Sequence, residues 1–115
     1  MIWLKRVYEP REEADGLRVL VMRRWPRGIR KDRIDLWLRE LGADLTLLRD
    51  WKAGRVTWPE RRQRYLDGLR VAEAATQLDE LRDLARGKTV TLICACKDES
   101  ECHRSLLKGV LEGRD

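Results

Sequence analysis

The three cysteines and the only histidine of this chain fall within ten residues: Cys94, Cys96, Cys102 and His103, with Arg104 directly after. Four kinds of chemistry suit that set. An anion or phosphate could sit at a helix start beginning near Cys102, where backbone N–H groups lack intrahelical partners and the dipole favours negative charge; Arg104, Arg27 and Arg24 would supply charge and bidentate donors. Cys102 could serve as nucleophile or redox thiol, since a thiol at a helix N-terminus ionises readily, with His103 as acid–base partner and Cys94 or Cys96 as resolving thiol. The spacing C-x-C-x5-C-H is also a zinc-type donor set, although the adjacent Cys102 and His103 are expected to bind one ion together only with difficulty. In the fourth reading Cys94 and Cys96 are small buried hydrophobes and His103 is a capping residue.

Sharper motifs are missing. A phosphatase or rhodanese loop needs Cys, five residues, then Arg, but the sixth positions after Cys94, Cys96 and Cys102 are Ser100, Cys102 and Lys108. There is no C-x-x-C redox pair and no glycine-rich phosphate loop. The sequence leaves both the reaction and any cofactor undefined.

The cluster lies between a continuous apolar run, Thr89 to Cys96, expected as a buried strand, and a helix expected from His103 to Leu111. Ile2 to Tyr8 and Leu17 to Met22 have strand composition, and the second is apolar enough to be covered on both faces. After it, Trp25-Pro26-Arg27-Gly28 breaks regular structure, with Pro26 lacking a donor and Gly28 free to take a positive φ. Helices are expected over Arg33–Leu41, from Ile34, Trp37, Leu38 and Leu41 at helical spacing, and over about Asp44 to Trp51. A third is expected from the Thr57-Trp58-Pro59-Glu60 start to about Ala75, and a fourth from Thr76 to Arg86. Long helical crossovers between the second and third strands favour a parallel sheet. The expected architecture is therefore a single α/β domain over residues 1–115: a small, mainly parallel sheet of few strands flanked by helices. In such folds ligands sit at strand carboxyl ends. If the strands are parallel, the Trp25–Gly28 loop and the Cys94–Arg104 segment share one edge. Trp25 would then stack on a ligand, Arg27, Gly28 and Arg104 would bind its phosphate, and Cys102 and His103 would be the catalytic candidates.

The net charge is +5, and between Arg18 and Arg33 seven cations face Asp32 alone. That patch suits a phosphate-bearing small molecule or a nucleic acid; it equally suits a solvated surface paired with carboxylates elsewhere in the chain. The tryptophans near arginines suit stacking or core packing, and in a chain without phenylalanine the core is the more economical use. No apolar run approaches the roughly 20 residues of a membrane span, the N-terminus has no secretory pattern, and an odd cluster of cysteines fits a reducing compartment. A soluble cytoplasmic protein with no membrane partner is expected; oligomeric state is not legible.

RVYEP, the Asp15-Gly16 turn, RVLVMRRWPRG, the later W-L-x-E-L and the terminal K-D-x-x-x-C-H-R resemble domain-of-unknown-function family 488, to which the YeaO-like proteins belong. The likeness covers nearly the whole chain and implies a small α/β domain of bacteria and archaea; it brings no activity with it. Relatives differ at the late motif, some having Asn-His-Ala where this chain has Cys102-His103-Arg104. An acidic residue is common in the family at the position of Met22. The resemblance thus implies a shared role for His103 with Arg27 and makes the cysteines a specialisation or a structural feature.

Overall fold

The structure, a computed structural model, describes residues 1–113. Its elements are β1 (Ile2–Arg6), β2 (Leu17–Leu20), β3 (Leu36–Trp37), α1 (Leu45–Lys52), α2 (Trp58–Gly68), α3 (Ala72–Gly87), β4 (Val90–Cys94) and α4 (His103–Leu111). The sheet runs β1-β4-β2-β3 and every pairing is parallel. This is the expected α/β fold.

The apolar runs decide which strands are central. β4, Val-Thr-Leu-Ile-Cys, is buried at every position and pairs with β1 on one side and β2 on the other. One face of the sheet carries Ile2, Val19, Val90 and Leu92. Packed with them are Leu47 of α1, Tyr65 of α2, Leu78 and Leu81 of α3, and Leu106 and Leu107 of α4. All four helices therefore cover one face. The other face has a smaller cluster of Val7, Leu20 and Ile93, closed by Trp25, Ile34 and Trp37 from the loop after β2. Beside it Arg18, with no exposed surface, sits on the carboxylate of Asp15 at 2.7 Å, and Lys5 reaches the same carboxylate at 2.8 Å.

The helix expected over Arg33–Leu41 is absent. Two short 3-10 turns, Lys31–Arg33 and Arg39–Leu41, flank the two-residue strand β3 instead. The sheet captures the segment. Asp35 N–H donates to the Arg18 carbonyl, Leu38 N–H donates to the Leu20 carbonyl, and the Asp35 carboxylate accepts the Arg18 backbone N–H. The apolar residues split between faces, Ile34 and Trp37 joining the smaller cluster and Leu38 and Leu41 the main core. The helix expected from Thr57 to Ala75 ends at Gly68, and the next helix, α3, begins at Ala72 rather than Thr76. Thr57 caps α2 as expected, through a reciprocal capping box with Glu60. No helix among the described residues is long and apolar enough to cross a membrane.

Candidate metal and anion site

The parallel sheet brings the carboxyl ends of β2 and β4 side by side: Leu20 is opposite Ile93, and Val21 N–H donates to the Ile93 carbonyl. The sequence expected this edge to hold the site. The chain then leaves β4 at Cys94, passes a 3-10 turn at Glu99–Glu101, and re-enters the core at Cys102, the N-cap of α4.

Four donor atoms converge there. The Cys94, Cys96 and Cys102 sulfurs and a ring nitrogen of His103 all lie within 4.8 Å of one another. The Cys94 sulfur is 3.1 Å from Cys96 and 3.7 Å from Cys102, and Cys102 Sγ is 3.8 Å from His103 Nδ1. The expectation that Cys102 and His103 could not readily share an ion is corrected. Cys102 has extended backbone (φ −132°, ψ 146°) while His103 begins the helix, and this change of conformation turns two adjacent side chains towards one point.

The surroundings fix the donors. His103, 5% exposed, has Nε2 2.5 Å from the Val21 carbonyl. That contact requires the proton on Nε2, so in the neutral ring the Nδ1 lone pair faces the sulfurs. Its ring is 5.4 Å from that of Tyr65, whose hydroxyl donates to the Leu41 carbonyl at 2.6 Å. Arg104, 2% exposed, donates from Nε to Cys102 Sγ at 3.4 Å and from Nη2 to the Cys96 carbonyl at 3.2 Å.

The electrostatics follow from crowding three thiols. The Cys94 and Cys96 thiols donate to Cys102 and hold it far below the ordinary thiol range, with His103 adding to the effect. Cys94 in turn is pushed up to about 12, chiefly by its hydrogen bond to Cys102, and Cys96 rises for the same reason. Burial works to lower the His103 pKa, but the Cys102 and Cys96 sulfurs outweigh it and take it up to about 9. The shifts thus favour a Cys102 thiolate beside a protonated His103.

A cleft of about 240 Å3 opens over this floor, reached by Cys94, Cys96 and His103. Met22, Ala43, Leu45 and Leu48 give it apolar walls, and Arg23, Arg24, Lys52 and Arg61 line it with positive charge. Arg23 is anchored by Glu40 and by the Gly42 carbonyl. Gly42 permits this approach, because a Cβ there would lie 2.3 Å from Arg23 N and 2.7 Å from the Met22 carbonyl carbon.

Three of the ligand-binding candidates, Trp25, Arg27 and Gly28, lie elsewhere on this edge. The Trp25 ring packs edge-to-face on Trp37 in the smaller cluster, and its indole N–H donates to the Ile29 carbonyl at 2.8 Å. Arg27 is exposed at a tight turn closed by Ile29 N–H on the Pro26 carbonyl, with Gly28 at φ +80°. None of the three lines the cleft. Arg104 braces the cluster from within the protein. Of the cations between Arg18 and Arg33, Arg18, Arg23 and Arg30 are paired with Asp15, Glu40 and Asp32.

Sequence reasoning missed the cleft's cations from the helices, Lys52 and Arg61. Arg61 lies between two tryptophan rings, 4.8 Å from Trp51 and 5.6 Å from Trp58. The tryptophans among arginines were its only sequence signal.

A model of the family described as the active DUF488-N3 subclade matches residues 2–115. The uncharacterised protein YeaO of Escherichia coli (strain K12) is 34% identical over 108 residues, covering 92% of each chain. The uncharacterised protein Rv3073c of Mycobacterium tuberculosis (strain ATCC 25618 / H37Rv) is 38% identical over 115 residues, covering 95% of this chain and 92% of its own. No solved structure gives a significant match.

Proposed function

The chain belongs to the DUF488 family, in the active DUF488-N3 subclade, and from that premise we propose that it is a metal-binding domain holding one zinc-class ion through Cys94, Cys96, Cys102 and His103. The observation that carries this reading is the convergence of three sulfurs and an imidazole nitrogen within 4.8 Å.

Zinc–sulfur bonds of about 2.3 Å in a tetrahedron set sulfur atoms about 3.8 Å apart. The Cys94–Cys102 distance of 3.7 Å and the Cys102–His103 distance of 3.8 Å already suit that shape. The 3.1 Å Cys94–Cys96 pair would open by about 0.7 Å to reach it. The Val21 carbonyl on His103 Nε2 is the outer partner that ligating histidines usually have. Soft thiolates with one imidazole favour zinc over hard cations such as magnesium. Three thiolates and a dication leave one negative charge, which Arg104 meets at Cys102. The ion would tie the end of β4 to the start of α4 and form the floor of the cleft.

A second reading, a thiol-dependent enzyme, draws on Cys102 at the start of α4 with the Arg104 N–H on its sulfur. Cys102 has no exposed surface, so an electrophile entering the cleft meets Cys96 or Cys94 first.

The test is metal analysis of the full chain purified under reducing conditions without chelator, followed by cobalt substitution. One equivalent of zinc is expected, and cobalt should give the intense visible bands of a tetrahedral thiolate site. Failure to retain or take up a stoichiometric divalent ion at neutral pH would overturn the proposal; rapid alkylation of one thiol in that protein would favour the enzyme.

A further inference from the structure

The cleft above the sulfur cluster is built for something negatively charged. Its walls carry four cations and, among the described residues, no carboxylate. Glu40 answers Arg23, but the buried Arg23 Nε still lacks a hydrogen-bond partner. The side chains of Arg24 and Lys52 make no hydrogen bond or ion pair among the described residues. Arg61 is the most telling. It is 3% exposed, its guanidinium donates to the neutral Glu101 carbonyl at 2.8 Å, two indole faces lie against it, and no carboxylate pairs with it among the described residues. Buried charges in folded proteins are paired or ligated. The sulfur cluster does not answer Arg61, because Arg104 already sits on Cys102.

Size and wall chemistry narrow the ligand. The volume of about 240 Å3 lies below the roughly 300–1,000 Å3 of pockets that enclose drug-sized molecules, too little to enclose a whole nucleotide. Leu45, Leu48, Met22 and Ala43 are wasted on a bare inorganic ion. We propose that this cleft binds a small organic oxyanion, a carboxylate or phosphate monoester on a compact apolar body, its charge on Arg61, Arg24 and Lys52 and its body against Leu45 and Leu48. The proposal extends the metal reading in one respect only: the ion would lie at the floor beneath the ligand.

The experiment is calorimetric titration of the full chain at low salt with phenyl phosphate and with benzoate, the two sources of the oxyanion. Neutral benzyl alcohol and AMP serve as controls for charge and size. Zinc content is measured in parallel on the same samples. At least one of the two anions is expected to bind, with benzyl alcohol and AMP at least tenfold weaker. The double variant Arg24→Glu/Lys52→Glu, both positions exposed, should lose at least tenfold in affinity while keeping the wild-type melting temperature and zinc content. No binding of either anion to zinc-loaded protein, or an affinity unchanged in the folded double variant, overturns the inference and leaves the metal reading standing. Anion binding that depends on these cations in a protein that takes no metal upholds the inference and sinks the metal reading instead.

Discussion

If Cys94, Cys96, Cys102 and His103 hold zinc, removing the ion must cost stability, and the structure bounds the amount. A ligand bound only by the folded state at a thousandfold its Kd contributes about 4 kcal/mol. In a domain of 115 residues each kcal/mol moves the melting temperature by about 4 °C, giving a ceiling of about 15 °C. The true shift is smaller, because all four donors lie within ten residues and the unfolded chain can gather them too, which reduces the linkage. Folding adds what the local sequence cannot: the imidazole pinned by Val21, the sulfur neutralised by Arg104, and the exclusion of water around both. A rise of about 5–10 °C on zinc loading is therefore expected. The assay is thermal unfolding by circular dichroism in reductant, with excess zinc against excess chelator. Cys102→Ser removes a ligand with little change of shape, so its metal-free form should still fold while its zinc-induced shift falls below about 2 °C. A wild-type melting temperature indifferent to zinc, or a Cys102→Ser protein with the wild-type shift, would refute the reasoning.

Four further outcomes are expected. Asp15, buried between Lys5 and Arg18, is held at about pKa 2: burial works to raise it, but hydrogen bonds from Lys5, the Glu12 backbone and Arg18 prevail. Its folded pKa lies below the unfolded value, so a contribution of about 2 kcal/mol is complete above about pH 5 and drains away as pH falls towards 2; a denaturant series should show this loss in the wild type and not in Asp15→Asn. The same variant leaves Arg18 buried without a counter-charge and should be less stable by about 3–5 kcal/mol at pH 7, measurable from the same urea midpoints. Gly42→Ala would drive a Cβ into the Met22–Arg23 backbone and should destabilise by about 1–3 kcal/mol; a variant as stable as wild type would show that this wall of the cleft is not tightly packed. Tyr65→Phe deletes a buried hydroxyl from the Leu41 carbonyl and should cost about 1–2 kcal/mol in the same denaturation assay.

What the sequence made legible was local. β4 and α4 could be placed because a continuous apolar run and a strong helical spacing leave little choice, and α4 begins at His103 and ends at Leu111 as expected. The loss of the expected helix at 33–41 was not local. Its apolar residues fit a helical period, but β2 needed a partner on its open edge, and the Arg18 and Leu20 carbonyls took the N–H groups a helix would have used internally.

The site divides in the same way. Its floor was legible because four donors sit in one short segment, but their convergence depended on the extended backbone of Cys102 and on the Val21 carbonyl just past β2, eighty-two residues distant from His103. Of its walls only Arg24 was legible. The Trp25–Gly28 loop was the natural candidate because it follows β2 directly, yet its tryptophan is drawn into the uncovered face of the sheet, where Val7, Leu20 and Ile93 need shelter. With no α-helix among the described residues on that face, burial of apolar surface outweighs any use of the ring at the edge. The helices lie on the opposite face; besides Arg23 and Arg24 of the loop after β2, the charges that line the cleft are Lys52 at the end of α1 and Arg61 in the first turn of α2, and a basic residue there looks in sequence like any solvated helix position. Arg61 differs only in its place between Trp51 and Trp58, and those rings shield its charge from water while turning it towards the sulfur cluster's cleft. A cation held in that way distinguishes a binding wall from a surface patch, and it makes the cleft, rather than the exposed Arg27 turn, the part of this protein where an anionic ligand would be bound.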